Sequence, residues 1–141
     1  MLMDASFDFT PSAQSLSGTS DQNSTNVFNA GSAKKLFGGA FGRGPKIFLQ
    51  VTAIGGTSPT FRARLVAADS ADLATNPIIL ADTGVSRVLA ASDIPYINEL
   101  LPSVQLDAKQ YYGIIFTQSG TSPTATVRAS LVADSQTAGL R

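Results

Sequence analysis

Alternating apolar and polar positions dominate two segments in the middle of the chain. In residues 46–54, KIFLQVTAI, and in residues 61–67, FRARLVA, the odd-numbered positions form an apolar row. Period two is typical of a half-buried strand, because successive side chains of a strand point to opposite faces of the sheet. Residues 55–59, GGTSP, lie between the two segments and predict a turn. We therefore expect an antiparallel hairpin here.

The same arrangement recurs near the end of the chain. Residues 110–118, QYYGIIFTQ, predict a strand, and residues 119–124 predict a turn. Residues 126–133, TVRASLVA, alternate again with the odd-numbered positions apolar. The pattern predicts a second antiparallel hairpin.

The same five-residue phrase occurs at the turns of both predicted hairpins. The phrase GTSPT occupies residues 56–60 and again residues 120–124, and similar runs follow the two copies, FRARLVAADS and ATVRASLVADS. Two such hairpins can each bury one apolar face against the other, which is the unit of a two-sheet sandwich.

Shorter strands are predicted around these hairpins. Asp82-Thr83-Gly84 is a turn signal between two short apolar runs, and residues 68–77 read as a connection with room for one helical turn after Asp69 or Ser70. The short strands expected are residues 24–29, 77–81 and 86–91. With the hairpins, about eight short strands separated by turns are typical of a β-sandwich or jelly roll.

Residues 92–101, SDIPYINELL, fit two structures. Ser92 can cap a short helix with Pro95 in its first turn. Alternatively, residues 97–106 form a strand that Pro102 interrupts.

The first 23 residues are polar and rich in turn formers, and they predict an extended arm with little core of its own. Phe7 and Phe9 lie on one face of an extended chain, which makes them candidate contact residues; a disordered tail is the alternative. The segment has no basic start and no apolar stretch of the kind that export signals contain. We expect a protein that is made in a cytoplasm and carries neither an export signal nor a membrane helix.

The one local imbalance of charge lies in residues 33–46, AKKLFGGAFGRGPK, which contain four basic residues and no acidic one. Such a loop can touch an acidic protein surface or a nucleic acid; a solvated loop whose aromatic side chains pack back on the core is the alternative. The candidate contact residues in it are Lys34, Lys35, Phe37, Phe41 and Arg43.

Composition argues against most catalytic chemistry. The chain has neither histidine nor cysteine, which removes the commonest general base, the commonest metal ligand and every thiol nucleophile. Its net charge is zero and only 14% of its residues are charged, so the chain as a whole does not suit a polyanion. Asp69 and Asp72 lack the dense carboxylate spacing of a calcium loop and are better explained as turn caps. We expect no enzyme activity, no cofactor and no metal.

Three arginines occupy the polar face of the predicted strands: Arg62, Arg64 and Arg128. They are either ordinary solvated positions or partners in salt bridges at an oligomer or capsid contact, where arginine is better suited than lysine to desolvated pairing.

An ordered set of motifs across nearly the whole chain resembles the small jelly-roll capsid cement, or decoration, proteins of tailed bacteriophages. The motifs are the opening MDASFDFTPSAQSLS, then STNVFN, ARLVAADSADLATNPIIL and LADTGVSRVL, and finally QLDAKQYYGIIFTQSGTSPTATVRASLV. The loop AKKLFGGAFGRGPK departs from the family, being longer and more basic.

The resemblance implies an all-β jelly-roll sandwich of about eight short antiparallel strands, with an extended N-terminal arm over residues 1–23 and a single domain over residues 24–141. It also implies a homotrimer on the outer surface of a phage capsid, where it ties subunits of the major capsid protein together and has no catalytic residue. The expected partners are the major capsid protein and other copies of the chain, with no membrane and no nucleic acid. The alternative is a carbohydrate- or receptor-binding jelly-roll module of a phage fibre or tail.

Overall fold

Eight antiparallel strands make up the part of the chain that the structure describes. The computed structural model describes residues 8–29, 45–84, 87–100 and 109–133, and of residues 45, 87, 132 and 133 the backbone alone. The strands are β1 Gln14–Ser17, β2 Gln22–Asn23, β3 Phe28–Asn29, β4 Pro45–Ala68, β5 Ile78–Asp82, β6 Arg87–Val88, β7 Tyr96–Leu100 and β8 Tyr111–Ala133.

Two of these strands are very long and pair with each other along their whole length. Pro45 at the start of β4 lies opposite Ala133 at the end of β8, and Ala68 lies opposite Tyr111. The prediction of two separate hairpins is therefore wrong. Each GTSPT segment continues its strand instead of reversing it, and the two predicted hairpins combine into one antiparallel ribbon.

The ribbon is folded back on itself. The Phe28 backbone pairs with Tyr112 of β8, and the Phe9 N–H donates to the Ala129 carbonyl near the other end of the same strand. A straight strand would separate Tyr112 from Ala129 by about 56 Å. Yet the rings of Phe9 and Phe28 stack with their centroids 4.4 Å apart. The two ends of β8 must therefore face each other across a core.

The fold divides the sheet into two facing halves. We call sheet I the half that consists of β1, residues 124–133 of β8, residues 45–55 of β4, and β7, in that order. Sheet II has β2 and β3 at one edge, then residues 111–119 of β8, residues 60–68 of β4, and β5 and β6 at the other edge. A central ribbon flanked on both sides by strands that follow it round the bend is a jelly roll. The predicted all-β jelly-roll sandwich is confirmed.

The repeated GTSPT segments form the bend, and they lie against each other. A side chain built on Gly56 would come within 2.6 Å of the Ser122 carbonyl oxygen, and one built on Gly120 within 2.7 Å of the Ser58 carbonyl oxygen. The backbone conformations match as well, because all four residues have positive φ angles, +95° and +50° in the first copy and +117° and +49° in the second. The two copies are thus related by a local twofold axis.

The space between the two sheets is filled from both. Ile47, Leu49 and Val51 of sheet I are fully buried, as are Ala63 and Ala67 of sheet II. The alternation in residues 46–54 holds only as far as Val51. Between Val51 and Ala53 the register with β8 shifts, and Ala53 is exposed.

Residues 8–23 do not form a separate arm. Phe9 and Leu16 are buried in the core, and β1 pairs with residues 124–127 of β8. The described part of this segment thus contributes to the core and supplies the outermost strand of sheet I.

The ambiguous segment contains both kinds of structure, but the helix is minimal. A single 3-10 turn spans Ala91–Asp93, and the strand β7 follows it. The connection before β5 contains no helix. It is a compact loop, residues 69–76, closed by hydrogen bonds from the Asp69 amide to the Thr75 carbonyl and from the Leu73 amide to the Ser70 carbonyl.

Candidate interaction surfaces

The outer face of sheet II carries two of the three predicted arginines, and both have partners within the chain. Arg62 makes a two-pronged ion pair with Asp82, with distances of 3.0 Å from Nε to Oδ1 and 2.5 Å from Nη2 to Oδ2. Asp82 ends the neighbouring strand β5. It lies opposite Arg64 and is therefore diagonal to Arg62. These two charge-assisted hydrogen bonds fix the orientation of the Arg62 guanidinium relative to the Asp82 carboxylate.

Arg64 is held from the other side. Its Nη2 lies 3.3 Å from Asp21 Oδ2 and donates to the Thr117 hydroxyl at 2.8 Å. The Thr117 hydroxyl in turn donates to Asp21 Oδ1 at 2.7 Å. Arg64 Nε is buried and has no acceptor among the described residues. The loop between β1 and β2 is thereby tied to the centre of sheet II.

The hydrogen bonds and ion pairs to the two arginines and to Thr117 lower the pKa of Asp21 and of Asp82. The hydrogen bond from Thr117, together with Arg64, holds the pKa of Asp21 below its ordinary value, although burial opposes the shift. The hydrogen bonds from Arg62 lower the pKa of Asp82 in the same way. Both acids therefore stay ionised, and the two positive charges on this face are neutralised by the chain itself.

The loop 69–76 covers one end of the outer face of sheet II, whereas Ile79 and Val88 at its edge stay exposed. Leu73, which is 2% exposed, packs on Val66 and Ala68, whose side chains point away from the main core. The loop lies so close to the sheet that a side chain on Gly113 would come within 2.8 Å of Leu73 Cδ1. The half-buried residues around this second core are Val27, Tyr111 and Ile115.

The carboxylates of this loop are engaged in holding its shape. Asp72 Oδ1 accepts hydrogen bonds from the Ala74 amide at 3.0 Å and from the Ser70 hydroxyl at 2.5 Å. Asp69 Oδ2 accepts from Asn76 Nδ2 at 3.1 Å and from Lys109 Nζ at 3.3 Å. No group of three or more potential metal ligands occurs within the described part of the chain.

On the outer face of sheet I, Lys46 pairs with Glu99, but Arg128 is not neutralised by any described residue. Arg128 lies opposite Gln50, and Gln50 lies opposite Ile97, so that the three form one row across β8, β4 and β7. Arg128 is exposed, and none of the described carboxylates lies within ion-pair distance of it. The half-buried Phe48 occupies the next outward-facing position of β4. We call these four residues the sheet I patch.

Large apolar side chains are strongly exposed at three described positions, all of them on edge strands. Ile79 on β5 is 53% exposed and Val88 on β6 is 62% exposed, both at the edge of sheet II. Ile97 on β7, at the edge of sheet I, is 53% exposed. Of these three side chains, only Ile97 lies in the same row as Arg128, which has no described carboxylate partner.

A shallow cleft of about 240 Å³ lies at the bend of sheet I. Its floor is aliphatic and its rim carries hydroxyl groups. The lining residues are Ser15, Leu16, Ser17, Ala53, Ile54, Thr124, Ala125 and Thr126.

The structure brings few of the predicted contact residues together. Phe9 is 1% exposed and belongs to the core, so it is not available as an anchor on a partner. The predicted stripe is divided, since Arg62 and Arg64 lie on sheet II and Arg128 lies on sheet I. The predicted residues outside the described part of the chain are Phe7, Lys34, Lys35, Phe37, Phe41 and Arg43.

Sequence reasoning missed the residues that distinguish the two faces. Phe48 and Gln50 stand on the polar side of an alternating segment, and this pattern alone does not show which side of the sheet remains open. Asp21 and Asp82 are far from the arginines in sequence, so no local signal pairs them. Ile97 lies between Tyr96 and Asn98 in a segment whose sequence fits both a helix and a strand. The sequence therefore does not show which face the Ile97 side chain occupies.

Among the described residues, no helix has the length and apolar character needed to cross a membrane. No family model matches the chain, and no curated protein sequence is similar to it.

Proposed function

We propose that the protein is a structural virion protein, a cement protein that binds the outer surface of a phage capsid as a trimer and stabilises the contacts between major capsid protein subunits. The observation that carries this proposal is the jelly-roll topology. It agrees with the fold implied by the ordered motifs that resemble capsid decoration proteins.

The architecture suits a protein that holds neighbouring subunits together. One ribbon of two long strands runs through both sheets, and its bend is held by two interlocked copies of the same five residues. A protein of this kind works by mass action: anything that binds the assembled shell in preference to the loosened shell stabilises the assembled one. Three identical sites in a trimer would add avidity to contacts that are individually weak. This role needs no titrating side chain and no cofactor.

The test is co-sedimentation of the purified protein with capsid shells from which it has been removed. We expect saturable binding to the shells, together with the mass of a trimer in light scattering. A protein that stays in the supernatant at concentrations well above those of its sites on the shell would contradict the proposal.

The alternative is a carbohydrate- or receptor-binding module, and the cleft at the bend is the observation that favours it. Its rim offers hydroxyl groups from Ser15, Ser17, Thr124 and Thr126 to a sugar. The aromatic platform on which sugars commonly stack is missing from its lining. A glycan array would decide between the two functions, because a cement protein gives no selective signal on it.

A further inference from the structure

We infer that the sheet I patch is the surface that docks on the capsid shell, and that it fits a protein surface presenting a carboxylate beside an apolar side chain. This inference rests on the proposed function and names the side of the molecule that performs it. The patch consists of Phe48, Gln50, Ile97 and Arg128.

The two outer faces differ in how their arginines are paired. Sheet II carries the loop 69–76 over one end, with Leu73 sealed against Val66 and Ala68. At the other end its arginines are paired with Asp21 and Asp82. On the outer face of sheet I, Lys46 pairs with Glu99 next to Phe48, but Arg128 has no described carboxylate partner. Its neighbours across the sheet are the half-buried Gln50 and the exposed Ile97.

The charge of Arg128 is complementary to a carboxylate on a partner. The structure describes five basic side chains, and four of them have a carboxylate partner: Lys46, Arg62, Arg64 and Lys109. Arg128 is the fifth and has none among the described residues. The nearest described acids are engaged elsewhere, since Asp8 accepts hydrogen bonds from Ser130 and Thr10, and Glu99 pairs with Lys46.

Arg128 also lies in one row with the exposed Ile97. Neighbouring strands lie about 4.8 Å apart, so Arg128 and Ile97 stand about 10 Å apart with Gln50 between them. Phe48 is one outward-facing position along β4 from Gln50, diagonal to Ile97. An arginine beside exposed apolar side chains is the combination that carries binding energy at interfaces, where the apolar contacts exclude water from the ion pair. The matching partner surface therefore combines an aspartate or glutamate with an aliphatic or aromatic side chain.

The experiment compares two isoleucines that are matched in type and in exposure. Ile97→Asn alters the patch, whereas Ile79→Asn alters the edge of sheet II, and both side chains are 53% exposed. In co-sedimentation with stripped shells, we expect Ile97→Asn to weaken binding at least about tenfold, and Ile79→Asn to leave it within about twofold. Arg128→Gln should weaken binding by a similar factor, and Arg128→Lys should restore part of it.

Circular dichroism and thermal melting of each variant verify that the fold is intact, as expected for substitutions at exposed positions. Equal binding by Ile97→Asn and the wild type would overturn the inference while leaving the proposed function standing. The same holds if Ile79→Asn weakens binding as much as Ile97→Asn does. If Ile97→Asn dissociates the oligomer in light scattering, the patch is a contact between copies of the chain and the inference is wrong. Failure of the wild type to bind shells would overturn the proposed function, and this inference with it.

Discussion

The glycine and the serine of the repeated phrase have different roles at the bend. Gly56 and Ser58 both adopt positive φ angles, but for different reasons. Gly56 faces the backbone of the other copy, where a Cβ atom would meet two carbonyl oxygens at 2.6 and 2.7 Å and a Cα atom at 2.9 Å. Ser58 already has a Cβ atom, so its positive φ is a strain that the local structure tolerates.

This contrast predicts a large effect of one substitution and a small effect of another at the same bend. Gly56→Ala should destabilise the fold by roughly 2 to 4 kcal/mol, because it adds both backbone strain and a clash with immobile backbone atoms. Ser58→Gly should change stability by no more than about 1 kcal/mol in either direction, because relief of strain is offset by greater freedom of the unfolded chain. Chemical denaturation of the two variants measures both values, and similar losses from both would contradict this explanation of the bend.

The Arg62–Asp82 pair predicts a dependence of stability on pH. The pKa of Asp82 is lower in the folded protein than its unfolded value of about 4. A lowered folded pKa contributes stability that is fully present above the unfolded pKa and is lost as the pH falls through the folded pKa. The midpoint of thermal unfolding should therefore drop as the pH is lowered below about 4.

Asp82→Asn and Arg62→Gln should both reduce this acid-induced drop relative to the wild type, because one removes the carboxylate and the other removes the cation that lowers its pKa. An unchanged acid profile in both variants would show that the pair contributes nothing to the dependence on pH.

At the scale of elements, the long ribbon organises the molecule and the short strands complete it. Among the described strands, β1, β2 and β3 pair with β8, and β5, β6 and β7 pair with β4. The bend divides this single pattern of pairing into two sheets, so the strength of the sandwich depends on how firmly the bend is held. The matching hydrogen bonds of Gly18 to the Pro123 carbonyl and of Leu89 to the Pro59 carbonyl support it from both sides.

The loop 69–76 makes an element-scale prediction about the second core. Leu73→Ala should cost about 2 to 3 kcal/mol, because it empties a buried site against Val66 and Ala68. Ile79→Ala is the control, since its side chain is about half exposed, and it should cost less than about 1 kcal/mol. Equal losses in urea denaturation would mean that the loop does not seal this face.

At the scale of the whole molecule, the two outer faces have different characters. On one face the loop 69–76 covers part of the sheet and both arginines are paired with carboxylates, and the other presents an arginine with no described carboxylate partner beside apolar side chains. This asymmetry matters for a cement protein, because a trimer on a shell must place the same face of every copy towards the same partner.

The proposed role also predicts what the shell should do. Adding the wild-type protein to stripped shells should raise their melting temperature, and the rise should increase with protein concentration as linkage requires. The variant carrying both Ile97→Asn and Arg128→Gln should give a much smaller rise at the same concentration. Differential scanning calorimetry measures this effect, and a shell that melts at the same temperature with and without the wild type would contradict stabilisation as the function.

Local patterns in the sequence determined most of the strands and the inward-facing residues. Alternation marked Ile47, Leu49 and Val51 as core positions, since burial of one face imposes period two on any strand. It also marked the apolar row from Phe61 to Ala67, and both sets are buried. The all-β class followed from the same signal, because strands that are apolar on one side must pair and stack.

The tertiary structure alone decided which strands pair and which face remains open. A glycine- and proline-containing segment is compatible with a reversal and with a bend, and the local sequence favoured the reversal. The bend prevails because it lets the two GTSPT copies lock together and lets all of β4 pair with β8. The covering of Val66 by Leu73 and the pairing of Arg64 with Asp21 likewise join residues far apart in the chain. Such contacts depend on distances in space, on which a local pattern of polarity carries no information.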